Sequence, residues 1–117
     1  MNIEEFIISY LNTALSIPGG SSIPAYGDVP SPVEDRFVTV EMTGARNENK
    51  LHNVTIAVQS WDTSRDAASN LNNMVITAME AIVAKDEISH CSLYSSYNYT
   101  DLTRMKPRYQ AVFSVVY

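Results

Sequence analysis

Between Arg36 and Trp61 the chain alternates, turns polar, alternates again, and then enters a helical pattern at once. Val38, Val40 and Met42 fall on one side of the first run, with Thr39, Glu41 and Thr43 on the other. Val54, Ile56 and Val58 repeat that alternation through Trp61. Successive runs of period two are strands joined as a hairpin, which excludes an all-helical fold. The polar, charged stretch from Gly44 to Asn53 predicts a ten-residue loop at the tip, projecting beyond the core. Thr63-Ser-Arg-Asp66 then has the spacing of a capping box, with Asp in place of Glu, a cap contributing about 1 kcal/mol. Asp62 and Asp66 read as support for that helix start. Leu71, Met74, Val75, Ala78 and Ile82 continue as a helical stripe to about Ala84. Ala67, Ala68, Ala78 and Ala81 allow close approach to a sheet, and the opposite side (Asn70, Asn72, Asn73, Thr77) is polar but uncharged.

The flanks complete an α+β pattern. Ile3, Phe6, Ile7, Tyr10, Leu11, Ala14 and Leu15 predict an amphipathic first helix, with Asn2 as its cap and Glu4 and Glu5 at its positive end. Pro18-Gly19-Gly20 should stop it. Residues 18 to 35 hold four prolines and three glycines, which leaves room for a loop and one short strand near Ile23 to Tyr26. Ile88 to Tyr94 reads as a short strand. Tyr109, Ala111, Phe113, Val115 and Tyr117 form one face of a strong last strand, with Val112 and Val116 on the other, a pattern that suits a central strand. The expected architecture is a single domain, residues 1–117, with a small mixed, mainly antiparallel sheet, two packed helices and a long projecting hairpin loop.

Composition narrows the function classes. The net charge is −5, and residues 1 to 35 carry Glu4, Glu5, Asp28, Glu34 and Asp35 with no Lys or Arg. Residues from Arg104 onward carry Arg104, Lys106 and Arg108 with no acid. An acidic chain without a dense basic stripe is poorly suited to holding nucleic acid by its phosphates. The asymmetry itself suits head-to-tail contact between copies, or simply solvates two surfaces. One cysteine, Cys91, leaves no internal disulfide and fits a reducing compartment. The first residues lack the basic start of a signal peptide, and no apolar run is long enough to cross a bilayer, so a soluble chain made in the cytoplasm is expected.

No reactive constellation stands out. Gly44-Ala-Arg-Asn-Glu-Asn-Lys50 lacks the second glycine and the Ser/Thr of a phosphate loop and leads into a strand. His52, His90 and Cys91 are too few and too widely spaced for zinc. His90 and Cys91 are neighbours on a strand, so they point to opposite faces and cannot act as a nucleophile–base pair. No G-x-S-x-G elbow occurs. Catalytic, cofactor and metal residues are therefore expected to be none. Recognition is better represented: Tyr94, Tyr97 and Tyr99 are interleaved with Ser and Asn in residues 92–101, a composition that supplies rigid contact area and adaptable hydrogen bonds. The same tyrosines would serve equally as an edge strand packed on its own domain, and Trp61 reads as core.

Val29-Pro30, the Arg36-Phe-Val-Thr-Val-Glu-Met-Thr-Gly44 run, Val54-x-Ile-x-Val-Gln-Ser-Trp61 leading into Ser64-Arg-Asp-Ala-Ala68, and Pro107-Arg-Tyr-Gln-Ala-Val-Phe-Ser-Val form a pattern. It resembles the tail terminator (tail completion, head–tail joining) proteins of long-tailed bacteriophages, over roughly residues 29 to 117. The loop at 44–53 departs from the family, which has more glycine there. The resemblance implies a structural virion protein, not an enzyme: a six-fold homo-oligomeric ring that caps the tail tube, ends its polymerisation and offers the surface that joins the head. Its implied partners are copies of itself, the tail tube protein and a head–neck connector or stopper protein. DNA would pass through the lumen without specific binding, and no membrane or cofactor is involved. The implied location is the tail–neck junction of the virion, reached from the host cytoplasm. On that reading the contact residues are Arg46, Asn47, Glu48, Asn49 and Lys50 of the loop, with Tyr94, Tyr97, Tyr99 and Arg104. The alternatives are another neck protein (connector or stopper) and a ferredoxin-like domain that binds a small ligand.

Overall fold

The computed structural model describes residues 1–16, 22–48 and 50–117. Helix α1 (Ile3–Ala14) is followed by β1 (Ala25–Tyr26), the hairpin β2 (Phe37–Glu48) and β3 (Leu51–Trp61), and helix α2 (Arg65–Glu80) with a 3-10 turn at Ala81–Ala84. Strands β4 (His90–Asn98) and β5 (Arg108–Val116) close the chain. They form one five-stranded sheet in the order β1-β2-β3-β5-β4, with β1 parallel to β2 and every other pair antiparallel. The fold is thus α+β, a mixed and mostly antiparallel sheet with two helices packed against it. Its α-β-β-β-α-β-β order departs from the β-α-β-β-α-β rhythm of a ferredoxin-like domain.

Both helices lie on one face. Ile3, Ile7 and Leu11 of α1 and Leu71, Val75 and Met79 of α2 are buried in one cluster with Val38, Val40, Ile56, Val58, Ala111, Phe113 and Val115 of the strands. Asn2 caps α1 by accepting from Glu5 N at 3.2 Å. Tyr10 donates to the Ala78 carbonyl at 2.6 Å and ties the helices together. As its two apolar faces suggested, β5 is central, between β3 and β4.

Several boundaries move. Residues 44–53 are not a ten-residue loop: the ladder continues to Glu48 opposite Leu51, past a bulge between Met42 and Gly44. Lys50 takes a left-handed φ of 65° at the tip. Polar side chains conceal a strand when they only face water, because the backbone ladder needs no apolar partner. Strand β4 likewise starts at His90 and runs on through Ser95 to Asn98, because β5 offers it nine residues of backbone. The second helix is capped by Ser64, not Thr63: Ser64 Oγ accepts from Ala67 N at 3.1 Å, so Asp66 falls one position short of a capping box. Asp62 does not serve that helix. It is buried, and accepts from Arg36 Nε and from Thr63 N, each at 2.7 Å. The expected stop at Pro18-Gly19-Gly20 lies outside the described residues.

Candidate functional site

Among the described residues no helix covers the second face of the sheet, and cross-strand register orders its side chains into rows. Thr39, Gln59, Gln110 and Tyr97 form one row across β2, β3, β5 and β4. Their groups are joined head to tail. Trp61 Nε1 donates to Thr39 Oγ1 at 3.0 Å, Thr39 donates to Gln59 Oε1 at 2.7 Å, and Gln59 Nε2 donates to Gln110 Oε1 at 2.6 Å. Gln110 Nε2 ends the series on the Tyr97 hydroxyl. Each donor polarises the next in such a chain. Tyr97 accepts, so its own proton is left to donate from the outermost strand.

The adjoining row is aromatic and cationic. Phe37 and Trp61 are cross-strand partners with stacked rings, 5.3 Å between centroids. Arg108, the next residue across, holds its guanidinium 4.6 Å from the Trp61 ring and 4.2 Å from the Tyr99 ring. Its Nε donates to the Tyr99 carbonyl at 2.7 Å, which fixes the sandwich. Trp61 is core, as its sequence context suggested, but in a second small cluster on the side away from the helices. Gly27, Asp28 and Val29 border this end and make a shallow polar depression with Glu41, Gln59 and Arg108.

Beyond Arg108 the β4–β5 turn is tightly held. Asp101 accepts from Thr103 N and Arg104 N through Oδ1, and from Arg104 Nη1 through Oδ2 at 2.7 Å. The Arg104 side chain, and then the backbone donors, hold the Asp101 carboxyl below the usual aspartate range. Lys106 Nζ donates to the carbonyls of Asp35 and Asp62, pinning the turn to the start of β2 and the end of β3.

The nine expected contact residues divide between the two ends of this face. Arg46 pairs with Asn53, and Asn47 Oδ1 lies 2.8 Å from His52 Nδ1, both in the β2–β3 ladder. Glu48 ends β2, Lys50 turns the tip, and Asn49 lies outside the described residues. Tyr94 is the extra residue of a β4 bulge and is 83% exposed. It shares an open depression with Gly44, Arg46, Asn53 and Ser114. Tyr97, Tyr99 and Arg104 belong to the Trp61 end. A rise of about 3.4 Å per residue puts some 27 Å between Asn53 and Trp61, so these groups are not one cluster.

His90 and Cys91 do face opposite ways: Cys91 packs against the core, and burial, then the nearby Glu80 charge, pushes its thiol up to about 11. Among the described residues no group of His, Cys, Asp and Glu could hold a metal ion, and no helix is long and apolar enough to cross a membrane. The residues that sequence reasoning missed are Arg108, Gln59 and Gln110, whose roles depend on β5 lying beside β3, and Leu102 and Met105, exposed by 78% and 79% on the turn. Two apolar residues inside the polar Asp101-Leu-Thr-Arg-Met-Lys106 were a readable signal. Searched against protein-family models and against curated proteins, the sequence matches none.

Proposed function

We propose that this chain is a structural assembly protein of a long-tailed bacteriophage, forming a ring that caps the tail tube, ends its growth and offers the surface for joining the head. The observation that carries the reading is the sheet face that the helices leave uncovered, where buried Thr39 and Gln59 hold the more accessible Gln110 and Tyr97 in place. It is pre-ordered by a cross-strand hydrogen-bond series and bounded by a charge-free edge from Ser92 to Asn98 bearing exposed Tyr94 and Tyr97. Fixed aromatic and amide groups lose little conformational freedom on docking, which favours recognition over a flexible surface. The sequence resemblance supplies the direction, and the fold is compatible with it. Two lateral ring contacts of about 800 Å² per partner would cover about a quarter of the 6691 Å² surface.

In this reading the Arg46–Lys50 tip and the Tyr97–Arg104 end face different neighbours, tube on one side and connector or stopper on the other. Electron microscopy of tubes polymerised from cognate tube subunits, with and without this protein, tests it. Tubes of bounded length with a ring at one end are expected. Unaltered lengths and bare ends would refute tail termination. Binding to an isolated connector without any effect on tube length would assign the chain to another neck protein.

A further inference from the structure

The β4–β5 turn presents two large apolar side chains to water on a backbone that is unusually well restrained. Leu102 and Met105 are 78% and 79% exposed. The Asp101 bonds described above, the paired backbone bonds between Asp101 and Lys106, and the Lys106 ammonium on two carbonyls hold the turn. Met105 takes a φ of 52°, which an L residue adopts only when its surroundings enforce it. Exposed apolar groups on a rigid support are what an interface anchor requires.

The same chain carries a matching recess. Tyr10 and Ala14 of α1, Leu15 at its C-terminal cap, and Met74, Thr77 and Ala78 of α2 line an open, mainly apolar groove of about 530 Å³. Among the described residues no charged side chain lines it, and its small residues leave room for a partner's side chains. The turn lies beside the start of α2, because Asp62 N donates to the Pro107 carbonyl. From Arg65 to Ala78 that helix rises about 20 Å at 1.5 Å per residue, so the turn cannot reach its own groove. Charge differs between the two ends as well. Residues 101–108 carry Arg104, Lys106 and Arg108 against Asp101, which pairs with Arg104, a net charge of +2, whereas α1 and the Leu71–Glu80 half of α2 carry Glu4, Glu5 and Glu80 and no cation. Lys85, the next cation along the chain, lies with Glu87 in an adjoining depression on the other side of Tyr10.

We propose that the Leu102–Met105 turn of one copy seats in the α1–α2 groove of a second copy, giving a head-to-tail contact. An anchor and a recess at different places on one chain make a heterologous contact, which repeats until a ring closes. The inference builds on the self-assembly part of the proposed function and adds the contact that achieves it.

Sedimentation across a concentration series, on wild type, on the L102D/M105D chain and on the M74K/T77K chain, reads the association directly. Each variant is expected to associate about tenfold more weakly or worse, with a nearly unchanged thermal midpoint because none of the altered side chains belongs to the buried core. In a Cys91→Ser background, mixing Leu102→Cys with Met74→Cys chains under oxidising conditions should give a mixed covalent dimer that neither chain forms alone. Cross-linking of Leu102→Cys chains with each other would mean a two-fold tip-to-tip contact and overturn the proposal. Undiminished assembly of both surface variants would overturn it while leaving ring formation intact. A wild-type chain monomeric at every concentration would overturn it too, and tube-end microscopy would then judge the assembly reading separately.

Discussion

Gln110 and Phe113 stand close together on β5, yet they serve surfaces of opposite kinds. Phe113 points under the helices, fully buried between Ile56 and Leu93 of the neighbouring strands. Gln110 points to the uncovered face and links Gln59 to Tyr97. The helix-covered face is held by apolar area removed from water, which is strong and tolerant of direction. The other face holds the smaller Phe37–Trp61 cluster at one end and is otherwise ordered by directional bonds, each contributing only about 1 kcal/mol net. One face therefore carries most of the stability, and the other is free to carry recognition.

Phe113→Ala should break this comparison most severely. It removes a fully buried ring from the centre of the core and should cost about 3–5 kcal/mol, read as a lower urea midpoint. Gln59→Leu tests the other face. It leaves the Thr39 hydroxyl and the Gln110 carbonyl oxygen without their partners, and should cost about 1–3 kcal/mol. A Gln59→Leu loss as large as that of Phe113→Ala would mean that the open face shares the structural burden, and the division drawn here would fail.

The covered face was legible in the sequence because its cause is periodic. Ile3, Ile7 and Leu11, the Leu71, Val75 and Ile82 positions of the second stripe, and Ala111, Phe113 and Val115 each announce one buried side, and the cluster contains them. Met74 breaks from its stripe, being 37% exposed. The open face was not legible, for two physical reasons. Its groups become meaningful only in cross-strand rows, and the β3–β5 pairing joins segments separated by a whole helix. Polar strands also look like loops, as residues 44–48 and 95–98 did. Asn72 went astray for a related reason: it was placed on the polar side of its helix, yet it is buried, with its Nδ2 donating to Ser96 Oγ on β4. The pair Arg36–Asp62 was hidden in the same way, because its partners are 26 positions apart in sequence and meet only when β2 and β3 pair.

The turn that borders the open face supplies a smaller, pH-dependent test. Folding lowers the Asp101 carboxyl through the Arg104 side chain and backbone donors. A group depressed in the folded state adds stability above its unfolded value, about 4, and that contribution fades as pH falls through the lower, folded value. Acid should therefore loosen the 101–106 turn before the helix-covered core. Amide exchange at Thr103 and Arg104, whose N–H groups bond to Asp101, should lose protection first, and Asp101→Asn should flatten that pH dependence. Simultaneous loss of protection in the Val54–Val58 core would show that the turn is not an independent unit.

Strand β4 straddles both environments, and Cys91 reports the covered one with almost no energetic effect at neutral pH. Burial, followed by the Glu80 charge, raises its thiol to about 11. At pH 8 the thiolate fraction is then about one part in a thousand, against roughly a quarter for a free cysteine of pKa 8.5. Alkylation of the native chain should be slower by at least that ratio and should rise about tenfold per pH unit until the thiol ionises. The stability sign follows from the same shift. A thiol raised on folding favours the folded state below its unfolded value, and that contribution is lost as pH climbs toward about 11. His90, on the opposite side of the strand, should be modified by diethyl pyrocarbonate at the rate of a solvent-facing imidazole. Rapid labelling of Cys91 at pH 8 would mean that β4 opens from the sheet on its own. The tyrosine-bearing edge would then be a mobile arm instead of the rigid rim that the division between the two faces requires.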